Sequence, residues 1–360
     1  MKSIILWGTG KIASRMLGLI NEKIIMVVDN DEQKWGKVWN GYVINKPSNI
    51  IELKERFDKI VIACRDWEAV WEQIANEFFI DSSLIDNVYY RQKAALINSY
   101  DGERENDKKK YISFLKQNPL SVYNSDFQNK YEARDVEVYF DKNKSLYYVY
   151  YNNKKMYFSK KFIKKEHVKS YYNFICMEQD VMSPHRYQTE KFYVCQGDVV
   201  LDAGVAEGNF ALDIIDIVDK VYLVEADKDW IEALRCTFEP YKDKVEIIEG
   251  FLGSDAQKDI TVDLLVSGKN INFIKMDIEG AEIGALRGAK KTLEENNIKV
   301  DICAYHNAED EEQIKELLRQ AGYEAEVSDG YMVFMTKINP YEKEVTCPRF
   351  VRGLVRGYRK

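Results

Sequence analysis

The sequence lacks a long apolar run: its longest ones, such as residues 59–64 and 198–201, are far shorter than the roughly 20 residues that span a bilayer. Its six cysteines are scattered without CxxC or Cys/His spacing, which favours reduced thiols over a disulfide framework or a zinc site. A net charge of −7 argues against the broad basic face of a nucleic-acid-binding protein. These absences predict a cytoplasmic protein with no signal peptide, no membrane span and no nucleic-acid partner.

Composition divides the chain into segments. Five of the six tryptophans lie in the first 71 residues, whereas half of the 24 tyrosines fall between residues 100 and 172. The charged stretch DGERENDKKK, residues 101–110, has no apolar residue and is the best linker. At roughly 150 residues per domain, the length predicts two to three domains. We expect an α/β protein with a small Rossmann-like domain over 1–98, a linker and β-meander segment over 99–175, a doubly wound sheet with an antiparallel last strand over 176–340, and a basic tail over 341–360.

The first segment has the pattern of a βαβ unit that binds a nucleotide. A strand over 3–7 leads into Gly8-Thr9-Gly10, a helix over 11–20, a strand over 24–28 and Asp29, about 20 residues beyond the first glycine. A phosphate would then lie at the helix N-terminus and a ribose on Asp29; the alternative is a domain whose pocket is empty. The stretches WGTGKIA and VVDNDEQKWGKVWNGYVINKP resemble the nucleotide-binding module at the front of bacterial sugar-modifying enzymes. That resemblance implies a hairpin between residues 29 and 47. A strand over 59–63 and a helix over 66–79 follow.

The middle of the chain is predicted to contain a three-stranded meander over 136–140, 146–151 and 156–158, rich in tyrosine and valine. Its tyrosines indicate either a packed sheet face or an exposed face that stacks on sugars. A helix over 166–180 follows. The turn Ser183-Pro184-His185-Arg186-Tyr187 is either a wall of the next pocket or a linker.

The last domain begins with VVLDAGVAEGNF, which predicts a strand, a glycine turn and a helix over 207–218, and VYLVEAD then predicts a strand that ends at Glu225. Asp202 at the glycine turn would repel a pyrophosphate, but it suits the sulfonium and ammonium charges of S-adenosylmethionine (AdoMet). The Glu225 carboxylate can accept both ribose hydroxyls. For Gly204 and Gly208, the alternative is tight packing of the strand on the helix.

Further strands over 245–249, 272–276 and 299–304 complete the predicted sheet. Asp202, Glu225, Gly250, Asp277 and His306 then all follow strand carboxyl ends, the edge at which open α/β sheets bind ligands. Strands over 323–327 and 331–336, joined by Ser328-Asp329-Gly330, predict a closing hairpin.

Four segments, VLDAGVAEGNF, VYLVEAD, INFIKMDIEGAEIGALRGAKKTL and AYHNAED, resemble the FkbM-type AdoMet-dependent methyltransferase family over residues 175–337. One departure is Ala206, where many AdoMet sites have glycine. The resemblance implies a class I methyltransferase domain that methylates a hydroxyl, often on a sugar, glycan or polyketide. The expected cofactor-binding residues are Asp202, Gly204, Glu207, Gly208, Glu225, Ala226, Gly250, Phe251 and Asp277.

The expected catalytic residues are His306 and Asp277. We expect His306 to be the only one of the three histidines at the sheet edge, where it can deprotonate the acceptor hydroxyl. Asp277 could accept from the donor amino group or from the acceptor hydroxyl. We expect no metal, although Asp277, Glu279 and His306 could instead bind a divalent ion, and Lys275 could face either the strand or the cleft.

Other functions and partners stay open at this point. The alternatives are a nucleotide-sugar-binding scaffold with an inactive methyltransferase fold, or an NAD-dependent oxidoreductase that uses the first domain. The expected partner is a small molecule or a glycan, and the chain could form an oligomer. The tail from residue 348 carries five positive charges and no acid. It could touch an anionic membrane or an anionic sugar nucleotide, or it could remain solvated or pack on its own domain.

Overall fold

Two units make up the chain: residues 1–124 with 335–349, and residues 125–334 with 350–360. The computed structural model describes residues 2–17, 20, 22–53, 57–64, 67–86, 88–118, 120–335 and 347–359. Asp66, Thr336, residues 341–346 and Lys360, which the sequence assigned to a helix, a strand and the tail, lie outside the described residues. The expected α/β class, with sheets rich in parallel strands, is confirmed.

The first unit contains a six-stranded sheet of order β3-β4-β2-β1-β5-β6. Every described strand pair in it is parallel except the β3–β4 hairpin. The strands are β1 Ser3–Trp7, β2 Lys23–Val28, β3 Val38–Trp39, β4 Tyr42–Asn45, β5 Lys59–Ile62 and β6 Ile85–Asp86. The helices are α1 Lys11–Leu17, α2 Trp67–Glu72, continued by a π-helical turn Gln73–Glu77, α3 Val88–Ser99 and α4 Asn106–Gln117.

Asp29 follows β2 and is held by the glycine turn that precedes α1. Its Oδ2 accepts hydrogen bonds from the amide and hydroxyl of Thr9 and from Lys34 Nζ at 3.0 Å. Burial raises the pKa of Asp29. These bonds and a fourth from the Asp31 amide together lower the pKa by more than burial raises it, so the net shift is downward. The carboxylate expected to bind a ribose therefore already has protein partners.

The second unit contains a three-stranded meander and a seven-stranded sheet. Its strands are β7 Tyr139–Asp141, β8 Leu146–Tyr151, β9 Lys154–Tyr157, β10 Val199–Ala203, β11 Lys220–Glu225, β12 Val245–Glu249, β13 Phe273–Met276, β14 Lys299–Cys303, β15 Glu324–Val327, β16 Met332–Phe334, β17 Arg349–Val351 and β18 Leu354–Tyr358. Its helices are α5 Lys165–Glu178, α6 Asn209–Ile214, α7 Lys228–Thr237, α8 Val262–Leu265, α9 Glu282–Arg287, α10 Lys290–Glu295 and α11 Asp310–Gln320.

The meander packs on the large sheet, so the unit boundaries differ from those expected. Val149 and Met156 of the meander share one buried apolar cluster with Val200 and Phe210 of the β10–α6 region. Burial of this shared apolar surface places residues 125–175 in the same unit as the expected last domain. The large sheet has the order β12-β11-β10-β13-β14-β18-β15, and its first five strands are parallel.

The closing strand of this sheet comes from the C-terminal residues, so the predicted hairpin is wrong. β18 lies between β14 and β15 and runs antiparallel to both, whereas β16 pairs with β17. The reason is burial: Leu354 and Val355 are fully enclosed in the core, a position that residues 331–336 were expected to fill.

The basic residues of the tail make contacts inside the unit, so of the alternatives left open by the sequence, the described part of the tail packs on its own domain and is not solvated. Arg356 Nε lies 3.5 Å from Asp301 Oδ1, and Arg352 donates to the Gly330 carbonyl at 2.8 Å. Arg359 donates to the carbonyls of Leu293 and Ala321.

Among the described helices, none is long and apolar enough to cross a membrane.

We predict that Leu354→Ala lowers the free energy of unfolding by about 2–5 kcal/mol, because it leaves a cavity between β14 and β15. The matched control is Leu264→Ala on α8, where the side chain is 65% exposed and the same change should stay within about 0.5 kcal/mol. Urea denaturation measures both. Equal effects of the two substitutions would mean that β18 is not part of the folded sheet.

Candidate active site

A cavity of about 580 Å³ opens at the carboxyl ends of β10, β11, β12 and β13. Seven of the nine expected cofactor-binding residues line it, namely Gly204, Glu207, Glu225, Ala226, Gly250, Phe251 and Asp277. Asp202, Gly208 and His306 are not among the lining residues. The structure therefore brings most of the expected site together at the expected edge and places three members behind it.

Gly204 allows the glycine turn to lie directly on the end of β13. Its φ is +73°, and a Cβ atom there would lie 1.6 Å from the Asp277 carbonyl oxygen. No L-residue fits without moving one strand. Gly208 instead allows the turn to pack closely against the end of α7, because a Cβ atom there would lie 2.8 Å from Phe238 Cε2. Of the two expected roles for Gly208, the structure supports helix packing.

Glu225 fixes the loop that follows β11 and also lines the cavity. Its Oε2 accepts from the Ala206 amide at 2.9 Å, and its Oε1 accepts from the amides of Ala226 and Asp227, each at 2.8 Å. Ala206 has a φ of +48°, a left-handed conformation that side chains other than glycine rarely adopt. This conformation points the Ala206 amide at Glu225, so the departure from glycine is accommodated within the turn.

Asp202 lies beneath the cavity floor, paired with Lys275. Lys275 Nζ is 3.1 Å from Asp202 Oδ1 and donates to the Gly204 carbonyl at 2.7 Å. Burial lowers the pKa of Lys275, but the charges of Asp202 and then Asp277 raise it more, so the ammonium stays protonated. A buried ion pair with Lys275 thus takes the place of the expected direct contact between Asp202 and a bound cation. The sequence left open whether Lys275 faces the strand or the cleft; the structure shows that it pairs with Asp202 and also lines the cavity.

Asp277 is the carboxylate at the centre of the site. Its Oδ2 accepts from the Tyr187 hydroxyl at 2.9 Å and lies 3.9 Å from His185 Nε2. Burial raises the pKa of Asp277, but Lys275, His185 and His306 lower it more, and the net direction is downward. Asp277 is therefore a carboxylate at neutral pH.

His185 corrects the expectation that His306 is the only histidine at this edge. It is 1% exposed, and its Nε2 lies 3.2 Å from the Tyr305 hydroxyl, which lines the cavity. Burial lowers the pKa of His185 to about 4, so its ring is neutral near pH 7. The turn over 183–187 thus forms a wall of the cavity through Tyr187, with His185 behind it.

His306 lies beside Asp277 but is not among the residues that line the cavity. Its Nε2 is 3.6 Å from Asp277 Oδ1 and 3.9 Å from Glu279 Oε2, and its Nδ1 is 3.1 Å from Glu282 Oε1. Burial lowers the pKa of His306, but the carboxylates of Glu282, Asp277 and Glu279 outweigh burial and raise it. His306 therefore does not line the cavity itself but contacts Asp277, Glu279 and Tyr305, which do.

Helix α5 supplies a wall that the sequence did not indicate. Tyr171, Phe174 and Glu178 line the cavity on this side, and the Tyr171 hydroxyl donates to Glu207 Oε2 at 3.0 Å. Burial raises the pKa of Glu178 to about 8, with a further contribution from Asp277. Burial likewise raises the pKa of Glu207 to about 8. The sequence signal that could have indicated this wall is the helical spacing of Tyr171, Phe174 and Glu178, which places an acid and two aromatic residues on one face of α5.

Comparison with known proteins connects this geometry to a family. Residues 252–325 match the sequence model of the methyltransferase FkbM domain, and residues 1–85 match that of the C2185-like N-terminal domain. The C-terminal unit contains a methyltransferase domain of the FkbM type. The match covers α8 to β15, including the strand that carries Lys275 and the loops that carry Asp277 and His306.

One of the solved structures that align with the chain shares its fold, with a TM-score above 0.5. The methyltransferase FkbM from Methylobacillus flagellatus KT aligns with 16% identity and a TM-score of 0.53, over 99% of this chain and 90% of that one. The precorrin-6y C5,15-methyltransferase from Geobacter metallireducens GS-15 aligns with 11% identity and a TM-score of 0.34, over 57% of this chain and 95% of that one. No curated protein sequence matches the chain.

We predict that Lys275→Met lowers the free energy of unfolding by about 3–5 kcal/mol, because Asp202 then remains buried without a cation. The matched control is Lys228→Met. Lys228 Nζ lies 3.5 Å from Glu249 Oε1, but the lysine side chain is 84% exposed, so the cost should stay below about 1 kcal/mol. Urea midpoints compare the two variants, and equal midpoints would show that the buried pair does not support the fold.

Proposed function

We propose that the protein is a cytoplasmic AdoMet-dependent O-methyltransferase that acts on a hydroxyl group of a saccharide. The observation that carries the proposal is the cavity at the strand carboxyl ends, lined by Glu178, Glu207, Glu225 and Asp277. Four carboxyl groups around one cavity favour a cationic ligand over a pyrophosphate. Cys176, Cys195, Cys236, Cys303 and Cys347 are thiols that form no disulfide, which supports the compartment.

The residues of the cavity fit AdoMet by size, backbone shape and charge. A volume of about 580 Å³ lies within the range of about 300–1,000 Å³ that small-molecule sites occupy. The left-handed turn at Gly204 keeps side-chain atoms away from the cavity floor. Glu225 Oε2 accepts one amide bond and retains an acceptor site for a ribose hydroxyl. Phe251 and Leu252 offer apolar surface for a base.

Asp277 is the residue that we assign to the acceptor. Bound AdoMet supplies a methyl group already activated by a sulfonium, so the protein mainly has to align the acceptor oxygen. The Asp277 carboxylate, held by Tyr187, can accept a hydrogen bond from the acceptor hydroxyl and orient its oxygen. His306 then acts through Asp277 as a positioning residue. This assignment differs from the direct proton abstraction expected from the sequence, because His306 does not line the cavity.

A saccharide acceptor is supported by the mixed character of the cavity wall. The rings of Tyr171, Phe174 and Trp230 provide apolar faces, and the hydroxyls of Tyr187 and Tyr305 provide hydrogen-bonding groups. A sugar ring has the same combination of C–H faces and hydroxyl edges, and aromatic rings with polar tips suit such ligands. The first unit does not favour the oxidoreductase alternative, because Asp29 is already held by Thr9 and Lys34.

We predict that Glu225→Ala weakens AdoMet binding by about 1–3 kcal/mol, because bonds to a charged acceptor are lost. Glu249→Ala is the matched control: Glu249 pairs in register with Glu225 but does not line the cavity. Calorimetry gives the affinities, and release of S-adenosylhomocysteine with nucleotide sugars and glycans gives the activity. If the two variants bind AdoMet equally, Glu225 is not in the site. If the wild type binds AdoMet but no saccharide raises product release, the acceptor class is wrong.

We also predict that AdoMet binding releases protons near pH 7. Glu178 and Glu207 each have a pKa of about 8, so both are largely protonated before a cation enters, and a nearby positive charge lowers an acid's pKa. The binding enthalpy should therefore vary with the ionisation enthalpy of the buffer. Glu178→Gln and Glu207→Gln should each reduce that dependence. S-adenosylhomocysteine, which lacks the sulfonium charge, serves as the control, and an enthalpy independent of buffer would refute the coupling.

A further inference from the structure

A group of three side chains lies at the carboxyl ends of β13 and β14. Asp277 follows β13, Glu282 begins α9 and His306 follows β14. Each offers one ligand atom, and these atoms all lie within 4.8 Å of one another. We propose that Asp277, Glu282 and His306 bind a divalent cation at the wall of the cavity.

The distances within the group match a shared ion. One nitrogen of His306, one carboxylate oxygen of Asp277 and one carboxylate oxygen of Glu282 all lie within 4.8 Å of one another. Two ligands that are each about 2.1 Å from one ion are about 3.0 Å apart at right angles and about 4.2 Å apart when opposite. The ligand atoms therefore need only small rotations of the side chains to meet one cation.

Glu282 supplies an independent reason to place an ion here. Its side chain is fully buried, its Oε1 accepts from the Ile278 amide at 2.9 Å, and its Oε2 has no hydrogen-bond partner among the described residues. The His306 Nδ1 contact is close, but it is not aligned as a hydrogen bond. A buried carboxylate oxygen without a partner is costly, and a cation would satisfy both groups.

The backbone brings these side chains together through a left-handed turn. Glu279 has a φ of +56° and Gly280 a φ of +99°, and a Cβ atom on Gly280 would lie 3.5 Å from His306 Cβ. The turn thus folds the start of α9 against His306. A left-handed conformation at a residue other than glycine persists only where the surrounding structure holds it, and such positions concentrate at functional sites.

The charge and chemistry of the group indicate which ion fits. An ion would displace the proton of His306. Two carboxylates and the resulting neutral imidazole then balance a divalent charge, and this mixture of oxygen and nitrogen ligands suits Mn²⁺ and similar transition ions. Because Asp277 lines the cavity, the ion would lower the pKa of an acceptor hydroxyl bound there. That role rests on the proposed function, whereas ion binding does not.

A second group, His185, Asp277 and Cys303, meets the same distance condition but is less suited to an ion. His185 Nε2 already lies 3.2 Å from the Tyr305 hydroxyl and 3.4 Å from Cys303 Sγ. The group that contains Glu282 has the unpartnered oxygen and is therefore the one that we assign.

The test is titration of the full chain with Mn²⁺ in the absence of AdoMet, with free Mn²⁺ measured by electron paramagnetic resonance. We expect one Mn²⁺ per chain and a weakening of at least tenfold in Glu282→Gln and in His306→Ala. Glu249→Gln removes a negative charge at the same sheet edge but no ligand, and it should bind like the wild type. Thermal melting checks that each variant is folded.

Two ligand variants keep the test decisive, because Glu282 is fully buried and its replacement alone could unfold the domain, whereas His306 is partly accessible. Absence of stoichiometric binding in the wild type would overturn the site. Equal binding by the wild type and a folded His306→Ala variant would also overturn it. Mn²⁺ binding without methyl transfer to any acceptor would support the site and count against the proposed function instead.

Discussion

The ion pair between Lys275 and Asp202 is the interaction on which the site depends. Two neighbouring parallel strands place these residues opposite each other in register, and both side chains are almost completely buried. The same ammonium binds the Gly204 carbonyl, so one charge connects β13 to β10 and to the glycine turn. Two carboxylates of the cavity follow from this connection, because Glu225 accepts from the Ala206 amide of the same turn and Asp277 lies two residues after Lys275.

This arrangement explains why acids can crowd around one cavity. Asp277 remains ionised because Lys275 lies beneath it and Tyr187 donates to it. Burial raises the pKa of Glu178 and of Glu207 to about 8, because the charge of Lys275 lowers each pKa by less than burial raises it. Asp277 is therefore charged before a ligand binds, whereas Glu178 and Glu207 are largely protonated. These two acids ionise only when a bound cation compensates for their burial. The site is electrostatically prepared for a positive ligand without carrying the full repulsion in its absence.

The sequence predicted the parts of the fold that local pattern determines. Glu225, Gly250 and Asp277 were predicted to lie at strand ends because a short apolar run stops at or just before each of them. The structure places all three on the cavity. Contacts between distant segments were not predictable in this way. His185 reaches Asp277 across 92 positions of the chain, and helix α5 covers the cavity from a segment whose pattern indicates only an amphipathic helix. Nothing in the local pattern states which surface such a segment will cover.

The closing strand of the large sheet was predicted at residues 331–336, but it is β18. The sequence contains a signal that would have assigned it correctly, namely the pairing of lone buried charges. A single charge inside an otherwise apolar strand must find a buried partner of opposite sign, because the cost of burying it alone is prohibitive. The strand KVDIC contains one such charge, Asp301, and the segment LVRGY contains another, Arg356; the structure pairs them in register. Residues 331–336 offer no cation that could take this position. Matching lone buried charges between strands would therefore have placed the C-terminal residues beside β14, just as it would have paired Asp202 with Lys275.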